Sequence, residues 1–221
     1  MCGRYALSVT DRDDLDFRFR AFSAFRFQPR YNISPSQEVP IIVEKGERII
    51  EPARFGYLPP WAKNESFAPI NAMSEKVTSN MFKDALKSRR CLVPATHFYE
   101  WARTKEGKVP YLFKMKDESV FAFAGFYSLT KRVYSEDKQD IKVSFAILTT
   151  TPNEVVKPVH DRMPVILERK LEDLWLEERE LKQQELERLF TPYPAEQMMC
   201  YPISTRVNSP SFDDPTLIIP E

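Results

Sequence analysis

The chain has 221 residues, a length that fits one domain of generous size or two small ones. An apolar fraction of 43% is enough to bury a core, and 32 basic residues against 32 acidic residues leave no net charge. The composition therefore carries no nucleic-acid signature, and any DNA-binding face would have to arise from local segregation of charge.

Secretion signals, membrane spans and disulfide frameworks are not predicted. Residues 1–17 are already charged and contain no apolar core segment. No stretch approaches the roughly 18 apolar residues that a membrane span requires. The three cysteines, Cys2, Cys91 and Cys200, have no paired spacing. We expect a cytoplasmic protein with reduced thiols.

The predicted elements are mostly strands. In chain order they are a helix at 11–22 capped by Thr10, a hairpin of 39–43 and 48–50, a helix at 80–87 capped by Ser79, a hairpin of 98–101 and 109–115 with its turn at 103–108, strands at 120–130, 143–149 and 163–167, a helical face of Leu171, Leu174 and Trp175, a helix at 183–190, and a strand at 199–203. Because helices and strands do not alternate regularly, this pattern predicts an α+β fold: a mainly antiparallel, β-barrel-like core flanked by a few helices. No flexible linker stands out, so we expect a single domain over residues 1–221.

Cys2 is the most informative residue for chemistry. Methionine aminopeptidases remove Met1 when residue 2 is small, so a mature Cys2 would carry a free α-amine beside its thiol. The amine of such a 1,2-aminothiol condenses with an aldehyde, and the thiolate then closes a five-membered thiazolidine on the imine carbon. An α-amine with a pKa of about 7.7–8.0 is partly neutral near pH 7. A nearby cation could raise the ionised fraction of the thiol, and Arg4 is one candidate. The competing interpretation is an accidental cysteine.

Three further side chains are candidates for proton transfer or positioning. His160, between a short turn and a strand, could shuttle protons near neutral pH, although a structural role fits the same context. Glu100 lies among aromatic residues, where burial would raise its pKa and suit it to acid–base work; plain alternation on an exposed strand is the alternative. Asn71 could orient a substrate or serve a turn. His97 is predicted to be structural.

Other catalytic templates are missing from the sequence. There is no Cys-x-x-Cys or His-Glu-x-x-His spacing, and five glycines leave little room for a phosphate-binding loop. We therefore expect no metal and no organic cofactor.

Six short motifs occur in order along nearly the whole chain. They are MCGRY at 1–5, RYNISP at 30–35, FGYLPPWA at 55–62, NA at 71–72, RCLVPA at 90–95 running into FYEW at 98–101, and HDRMP at 160–164. Each is short, but their order and compatible spacing are highly specific. Together they resemble the SOS-response-associated peptidase family.

The resemblance implies a sensor of abasic sites in single-stranded DNA that shields the lesion in a covalent thiazolidine crosslink. Cys2 would supply both bonds, and Asn71 would position the reacting groups. His160 would promote opening of the deoxyribose to its aldehyde, and Glu100 would handle protons at the amine and assist reversal. The implied fold is a β-barrel-like core with a DNA channel. Any peptidase activity would be limited to removal of Met1 from the chain itself.

DNA contacts are expected from four residues. Arg4 and Arg162 are the cations nearest the proposed chemistry and are the candidate phosphate ligands. Trp61 could offer a stacking face to a base. Thr149, at the end of a strand, would form a polar wall of the pocket.

The resemblance departs from the family at Met73, where an Arg normally stands two positions after the Asn. Since that Arg is expected to contact phosphate, DNA affinity would be lower or shifted to Lys76. The expected partner remains single-stranded DNA containing abasic sites, bound by a monomer that associates with the nucleoid when on DNA.

Two other functions compete with this one. N-terminal-nucleophile hydrolases such as glutamine amidotransferases also begin Met-Cys-Gly and use the freed cysteine as nucleophile. They need a Gly-rich glutamine pocket, which this Gly-poor sequence does not provide, and they do not share the motifs at 98–101 and 160–164. A non-covalent single-strand binder with an incidental Cys2 would bind intact and abasic strands alike.

Overall fold

A computed structural model describes residues 2–9, 12–23, 26–62, 64–78, 81–135 and 138–221 of the chain. Its strands are β1 (Tyr5–Leu7), β2 (Phe22–Ser23), β3 (Arg30–Ile33), β4 (Glu38–Glu44), β5 (Arg48–Phe55), β6 (Asn71–Met73), β7 (Arg90–Ala95), β8 (His97–Thr104), β9 (Gly107–Met115), β10 (Phe121–Ser135), β11 (Lys138–Thr150), β12 (Met163–Pro164), β13 (Ile166–Leu167) and β14 (Met198–Pro202). Its α-helices are α1 (Arg12–Phe19), α2 (Lys83–Ser88), α3 (Arg169–Leu176) and α4 (Gln183–Leu189). Short 3₁₀ turns lie at Ser74–Lys76, Ala195–Gln197, Thr205–Asn208 and Pro215–Ile218.

Five strands close into a small barrel. β11, β10, β7, β4 and β5 are antiparallel neighbours in that order, and β5 then returns to β11 by parallel pairing of Phe55 with Phe145. These strands are rich in β-branched and aromatic residues, and the buried rings of Phe55 and Phe145 stack with centroids 5.2 Å apart. Closure leaves this ring of strands without a free edge. The predicted α+β fold with a mainly antiparallel, barrel-like core is confirmed.

A second sheet, ordered β14-β9-β8-β1-β3, carries the N-terminal segment. Tyr5 pairs with Phe98, and the Tyr99 amide donates to the Arg4 carbonyl oxygen at 3.0 Å. Residues 2–4 therefore run alongside the part of β8 that carries Glu100.

The helices pack on the outside of the barrel. α3 buries Leu171 and Trp175, as the sequence periodicity predicts, and the Trp175 indole N–H donates to the Cys91 carbonyl oxygen at 2.9 Å. A buried ion pair between Arg18 of α1 and Glu172 of α3 (2.7 Å) joins two of these helices. No helix in the described part of the chain combines the length and apolar character needed to cross a membrane.

Arg90, at the start of the RCLVPA motif, has a structural role. Its buried guanidinium donates to the Leu86 and Lys87 carbonyls at the end of α2, and to the Trp175 and Glu177 carbonyls at the end of α3. A cation at helix C-termini satisfies their unpaired carbonyls and complements the helix dipole. This motif therefore anchors two helices to β7.

The first helix is shorter than predicted. α1 ends at Phe19 because Arg20 adopts a left-handed conformation (φ 51°), and Phe22 lies in β2 instead of the helix. Residues 10–11, predicted to cap and begin this helix, lie outside the described residues, as do residues 79–80 of the second predicted helix.

The turn between β8 and β9 is tighter than predicted. The strands extend to Thr104 and Gly107, which leaves only residues 105–106 as the loop. As a result Arg103 and Lys108, expected in the turn, are directly opposed cross-strand partners.

Candidate active site

Cys2 lies just before β1 and has no exposed surface. Its thiol lies 3.8 Å from the Arg4 carbonyl oxygen, to which it donates. Burial raises the pKa of the Cys2 thiol far above its usual range, and the neighbouring Glu100 charge raises it further. The Arg4 guanidinium is not among the charges that shift the pKa of the Cys2 thiol.

Asn71 joins Cys2 to the barrel. It begins β6, whose parallel pairing with β11 sets it beside Ile147. Its Nδ2 donates to the Cys2 carbonyl oxygen at 3.1 Å and to the Ile147 carbonyl oxygen at 3.4 Å. Its buried Oδ1 has no hydrogen-bond partner among the residues that the structure describes. A buried acceptor without a partner is costly, and a donor on a bound molecule would relieve that cost.

Glu100 and His160 face each other in the same region. The Glu100 side chain is 4% exposed, and the His160 side chain is 27% exposed. Burial raises the pKa of the Glu100 carboxyl, although positive charge on His160 acts in the opposite direction. The His160 Nε2 lies 3.9 Å from Glu100 Oε2, which is too far for a direct hydrogen bond and short enough for strong electrostatic coupling.

The His160 backbone is held by a compact turn. Asn153 Oδ1 accepts the Val156 amide at 3.0 Å, and the His160 amide donates to the Val156 carbonyl oxygen at 3.0 Å. Asn153 thus acts as a cap for the turn that ends at His160.

Two neighbours of His160 Nδ1 bear on which ring nitrogen carries the proton in the neutral form. The Arg162 amide donates to His160 Nδ1 at 3.0 Å. The Asp161 carboxylate also lies 3.0 Å from Nδ1 and would favour a proton there, but its side chain is 89% exposed. Because the backbone amide is a fixed donor and Asp161 is surrounded by water, the favoured neutral form carries its proton on Nε2.

Arg162 is held by protein groups in this structure. Its guanidinium binds both Glu75 carboxylate oxygens, at 2.6 and 3.0 Å, and donates to the Thr149 carbonyl oxygen at 2.6 Å. The Arg162 bond is the main reason that the Glu75 pKa is lowered. Thr149 is itself buried, and its hydroxyl donates to the Ala72 carbonyl oxygen at 3.4 Å. A phosphate bound by Arg162 would have to replace Glu75.

Arg4 is directed toward the C-terminal segment. Its Nη1 donates to Asn32 Oδ1 at 2.7 Å and to the Val207 carbonyl oxygen at 2.6 Å. Asn32, from the RYNISP motif, in turn donates to the Ser209 and Phe212 carbonyl oxygens at 3.0 and 2.7 Å. Burial lowers the pKa of Arg4. Within the described residues the Arg4 guanidinium has no carboxylate partner, so its charge is available to an anion.

Comparisons with known proteins place this geometry in a family. The family described as SOS response associated peptidase (SRAP) matches residues 1–210. The abasic site processing protein YoaM of Bacillus subtilis is 37% identical over 228 residues, covering 99% of this chain and 97% of that protein.

The chain belongs to the SOS response associated peptidase family. The abasic site processing protein YedK of Escherichia coli is 27% identical, with 100% of both chains covered. A crystal structure of a protein from Bacteroides thetaiotaomicron superposes with a TM-score of 0.87 at 25% identity, over 100% of both chains.

Two positions bear on how this SRAP member would contact DNA. Trp61 lies in the loop between β5 and β6, is 69% exposed, and stacks on Phe67, which is 53% exposed, with ring centroids 6.4 Å apart. A pair of exposed aromatic rings suits stacking on bases. Met73 is 36% exposed and lies opposite Thr149 in the pairing of β6 with β11.

A cavity of about 430 Å³ opens over the candidate acid–base pair. It is lined by Glu100, His160, Trp101, Arg103, Lys108 and Asn208. Its volume falls within the range of about 300–1,000 Å³ typical of ligand pockets. In the part of the chain that the structure describes, no group of three or more His, Cys, Asp or Glu side chains could hold a metal ion.

Several of these site residues are missed by sequence reasoning. Glu75, which binds Arg162, and Asn208, which lines the cavity, belong to no motif that points to chemistry. Arg103 and Lys108 could have been found from the hairpin itself, since a tighter turn places them opposite each other.

Proposed function

We propose that this SRAP member captures abasic sites in single-stranded DNA covalently, as a monomer, through the α-amine and thiol of Cys2 once Met1 has been removed. The observation that carries the proposal is a chain of contacts at Cys2: Asn71 donates to the Cys2 carbonyl oxygen, the Glu100 charge acts on the Cys2 thiol, and His160 lies 3.9 Å from Glu100. The names of the relatives YoaM and YedK, both abasic site processing proteins, support a DNA lesion as the substrate.

The chemistry requires an aldehyde and proton transfers. The closed abasic sugar opens when the proton of its anomeric hydroxyl leaves and the ring oxygen is protonated; His160 serves this step. The Cys2 amine then adds to the aldehyde carbon, and loss of one water gives an imine. The thiol sulfur adds to the imine carbon, and its proton ends on the nitrogen. One C–N bond and one C–S bond form, with one water released overall.

Glu100 suits the step in which water leaves. A carboxyl whose pKa is raised by burial stays protonated to higher pH and can donate to the departing hydroxyl. The resulting carboxylate can take up the nitrogen proton, which gives the imine, and can relay the thiol proton to the nitrogen when the ring closes. The same transfers in reverse would release the DNA.

Asn71 would hold the Cys2 backbone while its amine and thiol react. Its Oδ1, which lacks a partner among the described residues, is suited to accept a hydrogen bond from the sugar or the amine.

The raised pKa of the Cys2 thiol favours this reaction over amide hydrolysis. A protonated thiol is a poor nucleophile toward an amide carbonyl, whereas an imine is far more electrophilic. Single-strandedness supports access as well, because an abasic nucleotide outside a duplex need not be extruded from a stack.

The test uses three matched single-stranded oligonucleotides: one with an abasic site, one with a tetrahydrofuran analogue that cannot open to an aldehyde, and one intact. Each is incubated with the parent and with Cys2→Ser, the N-terminus being checked by mass spectrometry, and run on a denaturing gel. We expect a heat-stable adduct only between the parent and the abasic strand. Equal adduct with the tetrahydrofuran strand or with Cys2→Ser would contradict the proposal. Binding in native gels alone would indicate a non-covalent binder.

A further inference from the structure

The β8–β9 hairpin carries two cations in an unusual arrangement. Arg103 and Lys108 are direct cross-strand partners, so their side chains emerge on the same face of the sheet. Like charges in this relation repel each other and are unfavourable in an isolated hairpin. The loop between them, Lys105 and Glu106, carries opposite charges that largely cancel.

No acidic side chain among the described residues forms an ion pair with either cation. Arg162 and Arg4, the two phosphate ligands predicted from the sequence, differ in this respect. Arg162 is bound to Glu75, and Arg4 donates to neutral oxygens of the C-terminal segment. The hairpin thus presents the positive charge that is least engaged by the protein itself.

Both hairpin cations line the cavity that contains Glu100 and His160. Asn208 also lines the cavity, and its Oδ1 accepts the Trp101 indole N–H at 2.7 Å. This bond fixes the side-chain amide of Asn208 and directs its N–H groups away from Trp101. One continuous cavity therefore joins the acid–base pair to two cations.

We propose that Arg103 and Lys108 bind backbone phosphates of the DNA strand on one side of the abasic nucleotide. The nucleotides on that side would then run from the reaction centre over the β8–β9 hairpin. The inference rests on the proposed function, which places the abasic sugar at Glu100 and His160. Phosphate charge relieves the repulsion between the two cations, and DNA binding is thereby favoured at this site over an uncharged ligand.

The first test compares the parent with Arg103→Gln/Lys108→Gln and with the control Lys105→Gln, an exposed cation of the same hairpin that does not line the cavity. Affinity for an undamaged, fluorescently labelled single strand is measured by anisotropy over a series of salt concentrations, so the result does not depend on crosslinking. We expect the double variant to lose up to about fivefold in affinity per cation at moderate salt. The salt slope should fall by about 0.7 for each lost phosphate contact. Lys105→Gln should match the parent, and a double variant with parental affinity and slope would overturn the inference.

The second test determines whether the 5′ or the 3′ side of the abasic nucleotide contacts the hairpin. Abasic oligonucleotides are shortened stepwise on the 5′ or the 3′ side, and crosslinking is measured at limiting DNA. Shortening one side should slow capture by the parent and have no further effect on the double variant. If shortening affects the parent and the double variant equally on both sides, the DNA does not run over the hairpin. A parent that binds strands with the predicted salt slope but never crosslinks would refute the proposed function and leave the hairpin as a phosphate site.

Discussion

The His160 Nε2 and the Glu100 Oε2 atoms lie 3.9 Å apart, and the other ring nitrogen of His160 accepts the Arg162 amide. The gap is too long for the two side chains to satisfy each other directly, and a water or a substrate oxygen could bridge it. Under the proposed mechanism the two groups act on the same bound sugar in successive steps, so their losses should differ.

His160→Ala should slow crosslinking about 10²–10⁴-fold when ring opening limits the rate, since a positioned acid–base group contributes about that much. The measurement is a single-turnover time course with an abasic single strand. A small aliphatic aldehyde needs no ring opening, so the variant should form its thiazolidine at the parental rate. Equal slowing toward both aldehydes would assign His160 a structural role.

Glu100→Gln should impair imine formation and release into competing DNA, because it keeps the shape of the side chain and removes its proton chemistry. The buried parent carboxyl has a raised pKa, so its acid form persists above the usual carboxyl range and is lost as pH rises through that pKa. The rate of imine formation by the parent should therefore fall as pH rises through that pKa, and the rate of the variant should not show this change. Identical pH profiles for crosslinking and release would remove Glu100 from the mechanism.

Arg162 and Glu75 should show opposite effects on DNA affinity. Glu75→Gln frees the guanidinium and should raise single-strand affinity up to about fivefold, whereas Arg162→Ala should lower it and flatten the salt dependence. The double variant should behave like Arg162→Ala, because Glu75 acts only through Arg162. Anisotropy titrations of the three variants measure these affinities. Unchanged affinity in Arg162→Ala would exclude Arg162 as a phosphate ligand.

His97 should make the fold sensitive to mild acid. It is buried opposite Lys114, and burial, with a further contribution from the Lys114 charge, lowers its pKa from 6.5 to about 4. Below pH 6.5 His97 binds a proton in the unfolded chain but not in the folded protein. The free energy of unfolding therefore falls between pH 6.5 and 4, by up to about 3 kcal/mol. Urea unfolding of the parent and His97→Asn across this range should show the loss reduced in the variant. Parallel profiles would contradict the burial argument.

Strand periodicity and turn residues predict the hairpins of β4 with β5 and of β8 with β9, because these signals are local. The closure of the barrel could not be predicted from local signals. The parallel pairing of Phe55 with Phe145 joins segments far apart in the chain, and no local pattern specifies which strands meet. The same holds for the bond from Asn71 to Cys2, which depends on the parallel pairing of β6 with β11.

The candidate site, like the fold, could be predicted from the sequence only in part. Cys2 could be selected from its position and chemistry, and Glu100 from its aromatic neighbours. The pairing of Arg162 with Glu75, and of Arg4 with Asn32, could not, because each joins side chains from separate loops whose approach is set by the barrel. Activation of the Cys2 thiol by Arg4 stays a prediction: the guanidinium donates to Asn32 and Val207, and burial has the largest effect on the thiol pKa.

The most direct test of the central proposal is the intact mass of the product formed with an abasic single strand in the absence of any reductant. We predict a single adduct whose mass equals protein without Met1 plus DNA minus one water, with the link mapped to the Cys2 peptide after digestion. Cys2→Ala should give no such product, and a variant that retains Met1 should be equally inactive, because its amine is acylated. An adduct mapped to a lysine, or one that appears only after borohydride trapping, would contradict capture through the Cys2 aminothiol.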